Sequence, residues 1–342
     1  MLGGIDLREL KSATSAVDIV YLWVDGADQA WREKRRSAFA AMDPQAANQL
    51  AVFNNVEGRY RDNEELRFSL RALDLFFPSH GHVYIVTDGQ RPSWLSQSDG
   101  LTIIDHRDLI PKPCLPTFDS GNIESYIHLI PNLSERYFYC NDDVFFGKTV
   151  NINDWFFADG LVLCWSDDNE VKGDALSPAS TSLVNGCRLS KAWLSNSANS
   201  TNQTLSNYTH TPRTFAHGPR PMLKSLMRHL EAIAPTLFAG VRSTVFRRWD
   251  QPTIISDFVL RWALANGRAK MGSFNHLYIS TGNADLEQKL SRLKPIDQVA
   301  VAYDFFCIND TFDDADPHDP RFELIKSTLT GCFERPSRFE SP

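Results

Sequence analysis

The chain has 342 residues, of which 42% are hydrophobic and 23% charged, a composition typical of a globular protein. This balance excludes disordered, collagen-like and coiled-coil chains, and the length allows two domains or one large α/β domain. Lys and Arg number 35 against 42 for Asp and Glu, so the net charge of −7 provides no general positive field for a nucleic-acid partner.

Strand and helix patterns alternate in the first half of the chain. Four short apolar runs are typical of buried strands, namely residues 17–24, 82–87, 101–105 and 136–140. Between the first two, Asp62 and Glu65 resemble a capping box, and leucines at helical spacing continue to Pro78. Strands separated by helices predict an α/β fold, with a Rossmann-like, mainly parallel sheet and helices on both faces.

Later in the chain, the pattern predicts a helical elaboration of this sheet. Helical spacing is present in residues 222–237 and 256–266, with Ser256 as the expected N-cap of the second helix. Residues 190–214 are rich in Ser, Asn and Thr, which favours a surface loop, although the Trp and Leu residues there could anchor a helix. Three further strands are expected, at residues 161–165, 276–280 and 299–308.

The sharpest chemical signal is the sequence Asn141-Asp142-Asp143, which directly follows a predicted strand. Adjacent carboxylates at an exposed strand end repel each other unless a cation or hydrogen bonds compensate their charge. Hard oxygen ligands of this kind suit Mg²⁺ or Mn²⁺ that bridges diphosphate oxygens. A solvated turn, in which Asn and Asp are common, is the alternative interpretation. Ligands of a parallel sheet bind beyond the carboxyl ends of its strands, where this group lies.

Other polar groups could bind phosphate near the same edge. Asp25 and Asp28 follow the first strand, where the intervening glycine permits a tight turn whose amides could face a phosphate or ribose. Arg67 and Arg71 lie four residues apart on one face of the predicted helix and could clamp a phosphate. An ordinary turn and a solvated helix face are the respective alternatives.

The second half of the chain adds a histidine, two arginines and further oxygen ligands. His217 stands at a turn, and a neutral imidazole could take a proton from an attacking hydroxyl, although a structural role is the alternative. Arg242 and Arg247 lie in a basic cluster that could neutralise a transferring phosphoryl group. Asn309 and Asp310 end an apolar run and offer further oxygen ligands.

The motifs of several other enzyme classes are missing from the sequence. It contains no P-loop, no dinucleotide-binding glycine motif after a strand, no nucleophile elbow and no H-E-x-x-H motif. The six cysteines are widely spaced, which predicts reduced thiols and neither a zinc knuckle nor a disulfide framework. The remaining chemistry is a set of carboxylates, arginines and a histidine.

Four segments of the chain resemble the four regions of the Stealth proteins. They are DIVYLWVDGAD at residues 18–28, a long region between residues 61 and 147 that includes RDNEELRFSLRAL and YFYCNDDVFFG, the stretch from His217-Gly218-Pro219 to VRSTVFRR, and FFCIND at residues 305–310. This family consists of sugar-1-phosphate transferases, among them bacterial capsule polymerases and the precursor of an animal N-acetylglucosamine-1-phosphotransferase. The chain lacks the long insertions of the animal enzyme, which favours a bacterial-type member that acts on a glycan.

The resemblance implies an enzyme of polysaccharide synthesis. It would transfer a sugar 1-phosphate, with an N-acetylhexosamine as the expected sugar, from a UDP-sugar to a hydroxyl of a glycan acceptor and release UMP. The implied donor is UDP-N-acetylglucosamine and the implied cofactor Mg²⁺ or Mn²⁺. A capsule polymerase meets a lipid-linked acceptor at the inner face of the membrane, so a cytoplasmic or peripheral location is expected, and a homo-oligomer is compatible with it.

The resemblance also implies roles for individual residues. His217 would be the general base, and Arg247 would stabilise the phosphoryl charge. Asp143 would act in catalysis and at the metal. The metal ligands would be Asp142, Asp143, Asn309 and Asp310. The residues assigned to the donor are Asp25, Asp28, Arg71, Ser120, Glu124, Asn141 and Arg242.

A single catalytic domain is expected, at residues 18–310. Its Rossmann-like core would cover about residues 18–165 and its elaboration about residues 166–275, between an extension at residues 1–17 and a tail at residues 311–342. Two other functions remain open. One is a metal-dependent glycosyltransferase that attacks the anomeric carbon and releases UDP, and the other is a non-catalytic protein that binds sugar nucleotides.

Overall fold

The computed structural model describes residues 16–198, 208–293, 302–310, 313, 316 and 318–341. Residues 1–15 of the expected N-terminal extension lie outside this part. The strands are β1 (Val17–Leu22), β2 (Val83–Thr87), β3 (Leu101–Asp105), β4 (Arg136–Asn141), β5 (Val144–Phe146), β6 (Phe156–Phe157), β7 (Gly160–Leu163), β8 (Arg220–Leu223), β9 (Ala269–Met271), β10 (His276–Ser280) and β11 (Phe305–Asn309). The helices are α1 (Gln29–Ala40), α2 (Pro44–Ala47), α3 (Glu65–Phe76), α4 (His106–Leu109), α5 (Ser120–Glu124), α6 (Ile152–Trp155), α7 (Ser182–Ala198), α8 (Lys224–Ile233), α9 (Pro235–Arg242), α10 (Val259–Ala265), α11 (Leu286–Ser291) and α12 (Pro320–Cys332).

A five-stranded sheet in the order β3-β2-β1-β4-β8 forms the centre of the molecule. Its first four strands are parallel, and β8 pairs antiparallel with β4. The apolar runs that predicted strands β1, β2 and β4 are buried along most of their length, as expected for a parallel sheet covered by helices. The α/β fold with a mainly parallel sheet is therefore confirmed.

Two small sheets flank the central one. Strand β11 pairs parallel with β10 and antiparallel with β5, so the chain's late apolar run lies beside the segment that follows β4. Strand β7 pairs with β6 and β9 in the other sheet. The first of these sheets matters for function because it joins residues 144–146 to residues 305–309.

The elaboration differs from the predicted elements in several places, among them the strand expected at residues 299–308, which begins at Phe305. Residues 222–223 belong to strand β8 and not to the following helix, because they pair with the free edge of β4. The helix expected at Ser256 begins at Ile254 with one π-helical turn, and no side chain caps it. Residues 190–198 continue helix α7, whereas residues 199–207 of the predicted loop lie outside the described part. None of the described helices is both long and apolar enough to cross a bilayer.

A small aromatic cluster stands apart from the main core. It consists of Trp31, Tyr60, Phe118 and Phe246. The rings of Phe118 and Phe246 stack with centroids 5.2 Å apart, and Trp31 packs against Tyr60 and Phe118 at 5.1 and 5.4 Å. The aromatic cluster thereby joins helix α1 to three chain segments that are far apart in the sequence.

The C-terminal segment is fastened to helix α3 by a buried carboxylate. The Glu340 side chain is 1% exposed and accepts two hydrogen bonds of 2.7 Å from Arg71 and one of 2.5 Å from Arg67. Its other donor is the backbone amide of Ser337. Burial alone would raise the pKa of Glu340, but these donors outweigh burial and lower it to about 2. Residues 320–341, expected as part of a tail, thus pack on the core.

We expect Glu340→Gln to lower the free energy of unfolding by about 2–4 kcal/mol at pH 7, because a buried ion pair loses one partner. The lowered pKa stabilises the fold fully above the unfolded pKa, so the wild-type advantage should shrink as the pH falls from about 5 towards 2. Urea unfolding at pH 7 and pH 4 measures it. Glu334→Gln is the matched control, since Glu334 is exposed on the same segment, and an equal loss in both variants would contradict the interpretation.

Candidate active site

The predicted site residues after β4 lie at the carboxyl edge of the central sheet. Strand β4 ends at Asn141, which is paired in register with the last residue of β1. Strand β8 begins beside the same edge, where Arg220 pairs with Tyr139. His217 comes three residues before Arg220. The sheet order therefore brings Asn141, Asp143 and His217 together although they are far apart in the sequence.

Asp143 is the centre of the polar contacts at this edge. Its carboxylate lies 3.4 Å from Nε2 of His217 and accepts hydrogen bonds from Nδ2 of Asn309 at 2.9 Å and Sγ of Cys307 at 3.2 Å. Burial would raise the pKa of Asp143, yet His217, Asn309 and Cys307 hold it below its usual value. Asp143 is therefore ionised at neutral pH, with three partners that fix its orientation.

Two close backbone contacts bring the parts of this site together. Cys307 pairs with Val144 across β11 and β5, so the strand pairing itself places the thiol beside Asp143. Gly218 lies so close to the ring of Phe305 that a Cβ atom there would stand 2.2 Å from it. Only glycine permits this approach, which brings His217 down onto β11.

A second chain of hydrogen bonds leads from Glu124 to the same ring nitrogen of His217. The Tyr139 hydroxyl lies 2.9 Å from Oε1 of Glu124 and 2.7 Å from Oδ1 of Asn141. Nδ2 of Asn141 then lies 3.3 Å from Nε2 of His217. Burial raises the pKa of Glu124, against the influence of Arg247, Tyr139 and Arg220.

Nε2 of His217 thus lies between an amide and a carboxylate. The neutral ring can accept a hydrogen bond from Asn141, and the protonated ring can donate one to Asp143. The His217 side chain is 22% exposed, so a substrate can reach it. This arrangement suits a group that gains and loses a proton during a reaction.

Asp142 lies among carboxyl groups. Burial, followed by the charges of Asp143, Glu65 and Asp62, raises its pKa well above the usual value. Burial also raises the pKa of Asp62 to about 6, and burial together with Asp62 raises that of Glu65 to about 8. In the described ranges no Lys, Arg or His side chain forms an ion pair with Asp142.

The donor set at this edge fits a hard divalent cation. Asp143, His217 and Cys307 offer ligand atoms within 4.8 Å of one another. Burial and Asp143 raise the pKa of the Cys307 thiol well above its usual value, so the sulfur stays protonated and is a poor ligand. The carboxylates of Asp142 and Asp143 remain, and carboxylate oxygens are the ligands that Mg²⁺ and Mn²⁺ prefer.

Arg247 lies beside Glu124 and is held by the turn before helix α5. Its Nε donates to Asp119 at 3.2 Å, and its terminal nitrogen contacts the Ser120 hydroxyl. The Thr244 hydroxyl donates to the second oxygen of Asp119 at 2.8 Å. Burial would lower the pKa of Arg247, but Asp119 and Glu124 raise it, so the guanidinium is charged. Arg247, Ser120 and Glu124 are therefore neighbours, as the assignment requires.

Other predicted residues make contacts away from the Asp143 cluster. Arg71 is bound by Glu340, and Arg242 by Glu231 and by Ser125. One oxygen of Asp28 caps helix α1 by accepting from the Trp31 amide at 2.6 Å.

Two other predicted residues, Asp25 after strand β1 and Asp310 after strand β11, make contacts nearer the edge of the central sheet. Asp25 exchanges two 2.9 Å hydrogen bonds with Gln90 through its backbone, while its carboxylate accepts from the Ala27 amide. Asp310 accepts from the Thr281 hydroxyl at 2.9 Å and forms an ion pair with Arg61. Asn309 reaches Asp143, whereas Asp310 is held by these other partners.

Several residues at the site were assigned no catalytic or binding role from the sequence. They are Glu65, which was expected only to cap a helix, and Asp119, Tyr139, Thr281 and Cys307. Cys307 and Asp119 adjoin predicted positions in the FFCIND and FDSG sequences, which is a signal that could have found them. Tyr139 is hidden in an apolar strand, where its hydroxyl has no sequence signature.

Family models match two parts of the chain. Residues 16–42 match Stealth protein conserved region 1, and residues 59–163 match Stealth protein conserved region 2. The chain therefore contains two conserved regions of the Stealth family. The matched ranges include Asp25, Glu124 and Asp143, whereas His217 and Arg247 lie outside them and their placement rests on the geometry above.

Proteins similar to this chain are named as polysaccharide phosphotransferases. Exopolysaccharide phosphotransferase SCO6023 of Streptomyces coelicolor is 32% identical over 328 residues, which are 95% of this chain and 52% of the relative. Exopolysaccharide phosphotransferase CpsY of Mycobacterium tuberculosis is 29% identical over 342 residues, which are 99% of this chain and 60% of the relative. The chain thus spans about half the length of the curated relatives it matches.

The solved structures that are similar to this chain at low TM-scores include glycosyltransferases. The galactosyltransferase LgtC, in complex with donor and acceptor sugar analogues, has a TM-score of 0.41 and 10% identity, covering 93% of this chain and 97% of that chain. The apo-form glycosyltransferase GlyE of Streptococcus pneumoniae has a TM-score of 0.37 and 11% identity, covering 95% and 66%.

Proposed function

We propose that this chain is a sugar-1-phosphate transferase of cell-surface polysaccharide synthesis. It transfers N-acetylhexosamine 1-phosphate from a UDP-sugar, with UDP-N-acetylglucosamine as the first candidate, to a hydroxyl of a glycan acceptor. The observation that carries this proposal is the contact of His217 with Asp143 and Asn141 at the edge that also holds Asp142. The Stealth regions and the names of the relatives support the same reaction class.

In the proposed reaction, His217 removes the proton of the acceptor hydroxyl. The acceptor oxygen attacks the β-phosphorus of the donor, and the bond from that phosphorus to the bridging oxygen breaks, so that UMP leaves. Asp143 stabilises the imidazolium that forms, since it lies 3.4 Å from Nε2. Asn141 holds the ring beforehand.

Two positively charged groups, Arg247 and a divalent cation, would neutralise the negative charge of the donor diphosphate. Arg247, oriented by Asp119 and Ser120, supplies a fixed positive charge. Asp142 and Asp143 would hold Mg²⁺ or Mn²⁺, which when bound supplies Lewis-acid stabilisation of phosphate oxygens. Most of the rate would come from positioning and electrostatics, as is usual in phosphoryl transfer.

The nucleotide product, UMP or UDP, distinguishes this function from its alternatives. We expect UMP when the protein is incubated with UDP-N-acetylglucosamine, Mg²⁺ or Mn²⁺ and a mixed glycan acceptor, followed by chromatography of the nucleotides. UDP would instead identify attack on the anomeric carbon and a glycosyltransferase. Neither product across a screen of UDP-sugars and acceptors would favour a binding protein.

Removal of the cation is expected to reduce UMP release by at least about 100-fold, because the carboxylates of Asp142 and Asp143 would then repel the donor. Dialysis against a chelator followed by the same assay measures this loss. Readdition of Mg²⁺ or Mn²⁺ should restore the rate, and a rate that the chelator leaves unchanged would contradict the metal assignment.

A further inference from the structure

Arg59 lies near the donor side of the site and has no role in the mechanism given above. It belongs to a 3₁₀ turn, Glu57–Tyr60, that precedes helix α3. The next residue, Tyr60, is part of the aromatic cluster, and its hydroxyl donates to the Phe118 carbonyl at 3.2 Å. The Phe118 amide donates in turn to Val245 at 2.7 Å. These contacts place Arg59 beside the two segments that carry Asp119 and Arg247.

The glycine before α1 fixes the same turn from the other side. The Gly26 amide donates to the Tyr60 carbonyl at 2.7 Å, and a Cβ atom on Gly26 would stand 2.1 Å from that oxygen. Because no larger residue fits there, the position of Arg59 relative to the first Stealth region is set by the backbone.

The charges around Arg59 are not balanced. Its Nε is buried without a hydrogen-bond partner, and Arg59 forms no ion pair with another residue of the described ranges. The neighbouring carboxylate of Asp119 is already occupied by Arg247 and Thr244. Burial and the charge of Arg247 lower the pKa of Arg59. Two guanidinium groups therefore share one carboxylate.

A third arginine adds to the excess positive charge. Arg220 is 6% exposed and pairs with Tyr139 across β8 and β4, so it lies next to Glu124. Over the part of the chain that the structure describes, Arg220 makes no ion pair. Glu124 lies beside these arginines, and burial raises the pKa of its carboxyl group. An anion of the substrate would complete the balance.

We propose that Arg59 is a substrate-binding residue that, together with Arg247, holds the phosphate group leaving with the nucleotide. This inference rests on the proposed function, since it assigns the guanidinium of Arg59, whose Nε has no hydrogen-bond partner, to the donor phosphate next to uridine. Arg59 is directed by the turn at Tyr60, and Arg247 by Asp119 and Ser120. A planar guanidinium can donate two hydrogen bonds to one phosphate, which lysine cannot reproduce.

Binding of UMP to the full chain, measured by isothermal titration calorimetry, tests Arg59 independently of turnover. We expect Arg59→Gln to weaken UMP binding by about 10- to 100-fold, as Arg247→Gln should, because a charge-assisted hydrogen bond is lost. Arg59→Lys should recover part of the affinity. The matched control is Arg248→Gln, since Arg248 is bound to Asp250 and should leave UMP affinity unchanged.

The outcomes separate this inference from the proposed function. If the wild type releases UMP from the donor but Arg59→Gln binds UMP as tightly as wild type, the role of Arg59 is overturned and the reaction stands. If the wild type binds neither UMP nor UDP, both are overturned. Thermal melting checks that each variant folds, and if Arg59→Gln fails to fold, an Arg59→Lys variant with full wild-type affinity overturns the role of Arg59.

Discussion

Asp143→Asn is expected to lower the turnover number on the order of 10⁴-fold, because one substitution would remove both a proposed metal ligand and the proposed partner of the His217 imidazolium. Nε2 of His217 lies 3.4 Å from the Asp143 carboxylate, so the loss of its charge directly disfavours proton uptake. Measurement of UMP release at saturating donor, over a range of Mg²⁺ concentrations, gives the effect on the turnover number separately from that on metal affinity.

The fold should tolerate this change. Both Asn309 and Cys307 donate to the same oxygen of Asp143, and an amide oxygen can occupy that position while its nitrogen faces Nε2 of His217. We therefore expect a melting temperature close to that of the wild type. Asp108→Asn, at an exposed acid of helix α4, is the matched control and should keep full activity. A fully active Asp143→Asn variant would remove Asp143 from the mechanism.

Arg261→Met is expected to lower the free energy of unfolding by about 3–5 kcal/mol, since it leaves the buried carboxylate of Asp257 without its cation. The side chains of Arg261 and Asp257 are 0% and 1% exposed, and Nε of Arg261 donates to both carboxylate oxygens at 2.9 Å. Burial raises the pKa of Asp257, against the effect of Arg261. Urea unfolding at pH 7 measures the loss.

The Arg261–Asp257 ion pair also helps to position part of the candidate active site. The terminal nitrogens of Arg261 donate to the carbonyls of Thr211 and Arg213, in the segment that leads to His217. A double variant, Arg261→Met with Asp257→Leu, should regain much of the stability because no buried charge is left unpaired. Arg268→Met is the control, since Arg268 is partly exposed. A stability loss in Arg261→Met no larger than in this control would refute the assignment.

The strands of the central sheet could be predicted because each is a local apolar run. Strand β3 has the predicted bounds, and β1, β2 and β4 differ from them by one or two residues. Strand β8 could not be predicted as a strand, since its residues also fit the helical spacing that follows. Its conformation depends on the free edge of β4, which lies more than 80 residues earlier in the chain.

The start of helix α3 is a second place where the local sequence pattern did not predict the structure. Asp62 and Glu65 have the expected spacing, but helix α3 begins at Glu65, after Glu64 in a left-handed conformation. Glu65 bonds back to the amide of Asn63, and Asp62 accepts from the amide of Glu64. The carboxylates are thus used by the turn before the helix, where they also face Asp142.

By itself, the sequence determined the α/β class, the acidic edge after β4 and the two conserved regions of the Stealth family, because these depend on local patterns and motifs. Only the tertiary structure decided which candidates meet. His217 and Asp143 are 74 residues apart and come together through the pairing of β8 with β4. Arg71 instead binds Glu340, 269 residues away. A guanidinium pairs with the anion that the fold places beside it, and the packing of distant segments determines which anion that is.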